Sequence, residues 1–124
     1  MRNVMFSLLT ALSLAVVAPA LTAEERPPPL NCEAGPAKKT YGGNPWLVYA
    51  CDDGRSAVVV SDQGNPAMPF YFIFYVKPDG DMRLYGEGTG AKSATQPAFD
   101  ELSKLGQAEV AALVAEARAA KAAP

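Results

Sequence analysis

The sequence predicts an α+β domain: a four-stranded antiparallel sheet of two hairpins, followed by two C-terminal helices packed on one face. Three observations carry this. Residues 46–51 and 56–61 are rich in β-branched and aromatic side chains and flank an Asp-Gly turn. Residues 70–76, Phe-Tyr-Phe-Ile-Phe-Tyr-Val, run into a second glycine turn. Beyond residue 92 apolar side chains recur every three or four positions. Strand patterning that gives way to a helical period is the order of an α+β fold.

The first two strands, 46–51 and 56–61, enclose Asp52-Asp53-Gly54-Arg55. Asp-Gly at the centre is the signal for a type I′ hairpin, because both central residues must accept positive φ. That register sets Ser56 opposite Cys51 and Asp52 opposite Arg55, a cross-strand ion pair worth a few tenths of a kcal/mol. Residues 62–69 form a loop through Gly64-Asn65-Pro66, which echoes Gly43-Asn44-Pro45; both read as turn entries.

Residues 70–76 are too short for a helix of that hydrophobicity and read as a strand. Pro78-Asp79-Gly80 then makes a three-residue loop with glycine in the left-handed position. The register pairs Lys77 with Asp81, Val76 with Met82, Tyr75 with Arg83, Phe74 with Leu84 and Ile73 with Tyr85. One face carries Phe70, Phe72, Phe74, Val76, Met82 and Leu84, the predicted core. The other carries Tyr71, Ile73, Tyr75, Arg83 and Tyr85. Aromatic rings with polar tips beside a cation make that face the predicted partner-binding surface.

Residues 86–92 read as a glycine-rich loop. Thr95 is then the predicted cap of a first helix, with Pro97 in its first turn and Phe99, Leu102 and Leu105 at three-residue spacing, ended by Gly106. A second helix is expected over 107–120, with Val110, Leu113, Val114 and Ala117 on one stripe.

Ahead of the domain (45–122) lie two segments of different character. Residues 1–20 hold one charge, Arg2, then an apolar run over 4–18 and Ala18-Pro19-Ala20. A basic start, a short apolar stretch and a small-x-small site form a secretory signal peptide, cleaved after Ala20 or after Ala23. The run is too short for a spanning helix, so no stable membrane anchor is expected after cleavage. Residues 21–44, with Pro27-Pro28-Pro29, read as an extended leader. The expected location is periplasmic or secreted. There Cys32 and Cys51 form a structural disulfide, worth about 3 kcal/mol for a loop of that size in the chain-entropy model.

Composition limits the chemistry. The 124 residues include 11 basic and 13 acidic side chains and no histidine. A nucleophile-histidine pair cannot be built, and the two cysteines are committed to a bond. A net charge of −2 gives no footprint for nucleic acid. Gly86-Glu87-Gly88-Thr89-Gly90-Ala91-Lys92-Ser93 approaches a phosphate-binding loop, but Ala91 stands where glycine is needed and the helix is expected to start too late. No nucleotide, metal or other cofactor and no catalytic residue is expected. Thr89 and Lys92 become candidate contacts of an interaction loop, beside Tyr71, Tyr75, Arg83 and Tyr85 on the sheet.

Residues 45–61 (PWLVYACDDGRSAVVVS), with Gly-Glu-Gly-Thr-Gly at 86–90, resemble small exported proteins of Gram-negative bacteria; the resemblance implies no activity. Tyr49-Ala50-Cys51-Asp52 and residues 86–93 are also similar to the periplasmic inhibitors of c-type lysozyme, small disulfide-bonded β-domains whose Ser/Gly-rich loop enters the enzyme cleft. The helical pair is foreign to that all-β barrel, and the Ser-Gly-Ser-Gly run is not present. The function expected is a small non-enzymatic binding domain of the cell envelope acting on an unknown protein or envelope component. The alternatives are an inhibitor of an envelope hydrolase and a small carboxylate-based enzyme.

Overall fold

The computed structural model describes residues 29–122. The predicted signal peptide, both cleavage positions and Pro27-Pro28 lie outside the described residues. Five strands, β1 (Ala34–Tyr41), β2 (Asn44–Ala50), β3 (Ala57–Ser61), β4 (Phe70–Val76) and β5 (Met82–Gly88), precede α1 (Lys92–Leu102) and α2 (Gln107–Ala122). The sheet is an antiparallel meander in the order β1-β2-β3-β4-β5. The α+β class and the two C-terminal helices are as the sequence predicts. The sheet has five strands, not four.

The additional strand is β1, drawn from the stretch read as leader. Its sequence, Ala-Gly-Pro-Ala-Lys-Lys-Thr-Tyr, is poor in β-formers, and a bulge interrupts its register between Ala34 and Ala37. It is an edge strand, where proline and lysine are tolerated and discourage further pairing. Tertiary contacts hold it: α2 packs across it, and Lys39 pairs with Glu116 at 3.0 Å. Gly42 and Gly43, with φ of 60° and 78°, close a two-residue turn between Tyr41 and Asn44. This is the geometry of a I′ hairpin. Gly42 lies so close beneath α1 that a Cβ there would stand 2.8 Å from the Ala98 nitrogen.

The β2–β3 register is as expected, with the Cys51 amide donating to the Ser56 carbonyl at 2.9 Å. The loop itself differs from the two-residue I′ turn. Residues 52–55 form it, and the Gly54 amide donates back to the Cys51 carbonyl at 3.2 Å. The Asp53 carboxylate accepts from the amides of Arg55 (2.9 Å) and Ser56 (2.7 Å) and from the Ser56 hydroxyl (2.6 Å). A short acidic side chain that satisfies three local donors outcompetes the tight turn. The expected Asp52–Arg55 pair is replaced: Arg55 lies 3.9 Å from Asp53, and Asp52 joins the Asn31 backbone through two hydrogen bonds. Those bonds sit beside the Cys32–Cys51 disulfide, which is formed as predicted.

The β4–β5 hairpin matches its predicted register at every pair from Val76–Met82 to Ile73–Tyr85. Gly80 has φ 94°, and Lys77 and Asp81 close the loop at 2.8 Å. β5 continues through 86–88, where the sequence predicts a loop, because Gly88 still pairs with Phe70. Gly88 takes φ 142°, and a Cβ there would meet the Pro69 carbonyl at 2.3 Å.

α1 begins at Lys92, not at a Thr95 cap; Ala91 precedes it in extended conformation without a capping side chain. Thr95 is buried inside the helix, its hydroxyl donating to the Lys92 carbonyl at 3.5 Å. Pro97 is therefore interior rather than in the first turn. The buried stripe is Ala94, Thr95, Ala98 and Leu102, small enough for close approach to the sheet, while Phe99 stays 39% exposed. In α2 the predicted stripe of Val110, Leu113, Val114 and Ala117 is buried. Both stripes join Trp46, Val48, Val59, Phe72 and Phe74 in one hydrophobic core. Trp46 and Phe72 meet with ring centroids 5.3 Å apart, and the Trp46 indole donates to the Tyr41 carbonyl at 3.1 Å. No described helix is long and apolar enough to cross a membrane.

Candidate functional site

Because side chains alternate along a strand, the residues between the core positions form the opposite face of the sheet. One row across all five strands reads Lys38, Leu47, Val60, Tyr71, Glu87. The next reads Tyr49, Val58, Ile73, Tyr85. Leu47, Tyr49, Val58, Val60, Ile73, Tyr75 and Tyr85 are all half-buried, and Tyr71 is 36% exposed. Both helices pack on the other side, so among the described residues no element covers this face.

Of the six residues singled out from the sequence, Tyr71, Tyr75, Arg83 and Tyr85 share this face. Tyr75 and Arg83 are direct cross-strand partners. The Arg83 guanidinium is already engaged, donating to the Asp81 carboxylate at 2.7 Å, with Lys77 3.9 Å from the same carboxylate. Thr89 joins Tyr71 at the other end of β4, where both line an apolar cleft of about 340 Å³ with Val60, Met68, Pro69 and Phe70. Lys92 lies outside that cleft, exposed on the first residue of α1.

Beside Ser61 and Thr89, the polar side chains lining the cleft are Tyr71 and Glu87. The Tyr71 hydroxyl donates to the Glu87 carboxylate at 3.2 Å. Burial raises the Tyr71 hydroxyl above its ordinary pKa, and the bond to Glu87 and that residue's charge add to the rise. The walls suit an apolar side chain, and Glu87 at the rim suits a neighbouring cation.

The loop after β5 is fastened to the body. The Thr89 amide donates to the Pro69 carbonyl at 3.1 Å and the Ala91 amide to the Pro66 carbonyl at 3.4 Å. A Cβ on Gly90 would stand 1.5 Å from the Ala67 carbonyl oxygen. The late helix start expected from the sequence is overturned, since α1 begins at Lys92. Two of the amides a phosphate would need are nevertheless spent on carbonyls.

A second, more polar cleft of about 470 Å³ lies beside the disulfide, where Arg118 and Lys121 face Glu33 and Asp52. Asp52 and Asp53 do not act together: one holds Asn31 and the other its own loop. Burial alone would raise the Asp53 carboxyl. The Ser56 hydroxyl, the Arg55 and Ser56 amides and the Arg55 charge outweigh it and hold the group below its ordinary value. Among the described residues no cluster of three acidic or cysteine side chains could hold a metal ion.

Leu47, Tyr49, Val58, Val60 and Glu87 belong to the open face but were not singled out from the sequence. Residues 46–50 are apolar throughout and carry no alternation of residue type; the structure buries Trp46, Val48 and Ala50 and leaves Leu47 and Tyr49 between them on the other side. No family model, curated protein or solved structure matches this chain.

Proposed function

We propose that this chain is an exported, non-enzymatic binding domain of the cell envelope and that the open face of its sheet is the surface it presents. The observation that supports the reading is the continuous patch from Leu47 and Tyr49 through Val58 and Val60 to Tyr71, Ile73, Tyr75 and Tyr85, opposite a fully packed core. Contiguous apolar patches of a few hundred Å² on small domains mark interaction sites. Tyrosines add contact area at low entropic cost, with hydroxyls that accept a wet rim. The Cys32–Cys51 bond fits an oxidising compartment.

Affinity capture from envelope extract tests the reading. Tyr75→Ala combined with Arg83→Ala is expected to leave folding intact and weaken capture at least tenfold; unchanged capture removes the face from consideration. Inhibition of a c-type lysozyme by the wild-type chain, unaffected by that double variant, would move the function to residues 86–93.

A further inference from the structure

Resting on the open-face reading, we infer that the partner this face fits is a second copy of the chain, stacked sheet on sheet about a two-fold axis parallel to β3. Five strands in sequential order place β3 at the centre. A two-fold axis in the plane of the face and along β3 sets β3 over its symmetry mate, β2 over the partner's β4 and β1 over the partner's β5. Residues on one cross-strand row stay on that row.

The row Lys38, Leu47, Val60, Tyr71, Glu87 is complementary to its own reverse. Val60 meets its mate, Leu47 lies over Tyr71, and Lys38 at one edge meets Glu87 at the other. In the second row Val58 meets its mate and Tyr49 lies over Ile73. Tyr85 falls over the Gly35-Pro36 bulge, which stands beside Tyr49. Self-complementarity of one patch is what an isologous interface requires. Opposite charges on the two edges would be of no use to a copy stacked the other way round, with β1 over β1, because like charges would then meet. Twisted sheets stack about 30° off parallel, so the match is closest at β3 and relies on long side chains at the edges. Lysine and glutamate supply that reach.

The size is consistent with a reversible contact. Five strands about 4.8 Å apart and about six residues long give a face near 24 Å by 20 Å. The pair would bury about 1,000 Å², the lower end for a specific interface, which points to a dimer that exchanges rather than an obligate one.

Sedimentation of natively purified protein over a concentration series tests this, with circular dichroism to establish that each variant is folded. Reversible monomer–dimer exchange is expected. Lys38→Glu and Glu87→Lys should each weaken it about tenfold, since two edge contacts per dimer turn repulsive. The double reversal should restore it. Val60→Arg, which places two cations against each other at the centre, should leave a folded monomer. A wild-type monomer at every concentration, or association indifferent to the reversals, overturns the inference. A monomer whose capture of a different protein still needs Tyr75 and Arg83 defeats the dimer and leaves the open-face reading standing.

Discussion

Three consecutive valines show how differently the two faces of this sheet are treated. Val59 is fully buried against the helices, while Val58 and Val60 on either side of it are half-buried on the open face. Composition is the same and the backbone is the same. What differs is the layer above: small residues of α1 and the Val110–Ala117 stripe of α2 close over one face, and nothing described closes over the other. The covered face is specified by volume, because close-packed interiors tolerate little change. Among the described residues no packed layer sets such a limit on the open face.

The largest expected effect lies on the covered face. Trp46 is fully buried, packs at a tilt against Phe72 and donates to the Tyr41 carbonyl. Trp46→Ala should cost about 3–5 kcal/mol by denaturant unfolding, the range for emptying a large aromatic site. Tyr49→Ala, on the neighbouring open face, should cost less than about 1 kcal/mol, as a half-exposed substitution does. Comparable losses at the two positions would mean that the open face is covered after all.

The loop that keeps the faces distinct comes next. A one-residue slip between β2 and β3 would exchange core and surface, and Asp53 guards against it by gathering Arg55 and Ser56. Its carboxyl sits below its ordinary value, so on acidification the unfolded chain takes up the proton first. The stability it supplies is full above about pH 4 and drains as pH falls through the folded value. Asp53→Asn should lower stability by about 1.5 kcal/mol at pH 7, the scale of hydrogen bonds to a charged group. It should also flatten the acid limb of the stability–pH curve; an unchanged limb would assign that limb to other carboxylates.

How much of this was legible in the sequence follows the strength of local signals. The β4–β5 hairpin was readable pair by pair from Val76–Met82 to Ile73–Tyr85, because Pro78-Asp79-Gly80 fixes the loop and seven β-formers fix the strand; its far end at 86–88 was not, because three residues with two glycines read as loop. The stripe of α2 was readable from its period. β1 was not, since Gly35, Pro36, Lys38 and Lys39 argue against a strand, and it is held by its ladder to β2 and by the packing of α2 across it; the Gly42-Gly43 pair was the signal available. Asp53 took its loop away from the expected turn through side-chain bonds that no pattern of apolar residues reports. Of the open face, the β4–β5 half was legible from alternation. Its extension across β2 and β3 was not, because Val58-Val59-Val60 carries no alternation and hides which side each residue takes.

That run also provides the finest test of the comparison. Threonine keeps the branched shape of valine and adds a hydroxyl. At Val59 the hydroxyl enters a packed apolar site with no partner provided, and Val59→Thr should cost about 1–3 kcal/mol. At Val58 it meets water in the monomer, and Val58→Thr should change unfolding by less than about 0.5 kcal/mol at low protein concentration. The two variants differ by one position and by nothing in chemistry, so their gap measures the helical layer alone. If a second copy closes over Val58, the gap should narrow as protein concentration rises, since stability then includes association. A gap that stays constant from dilute to concentrated solution would mean that this face remains in water whenever the chain is alone.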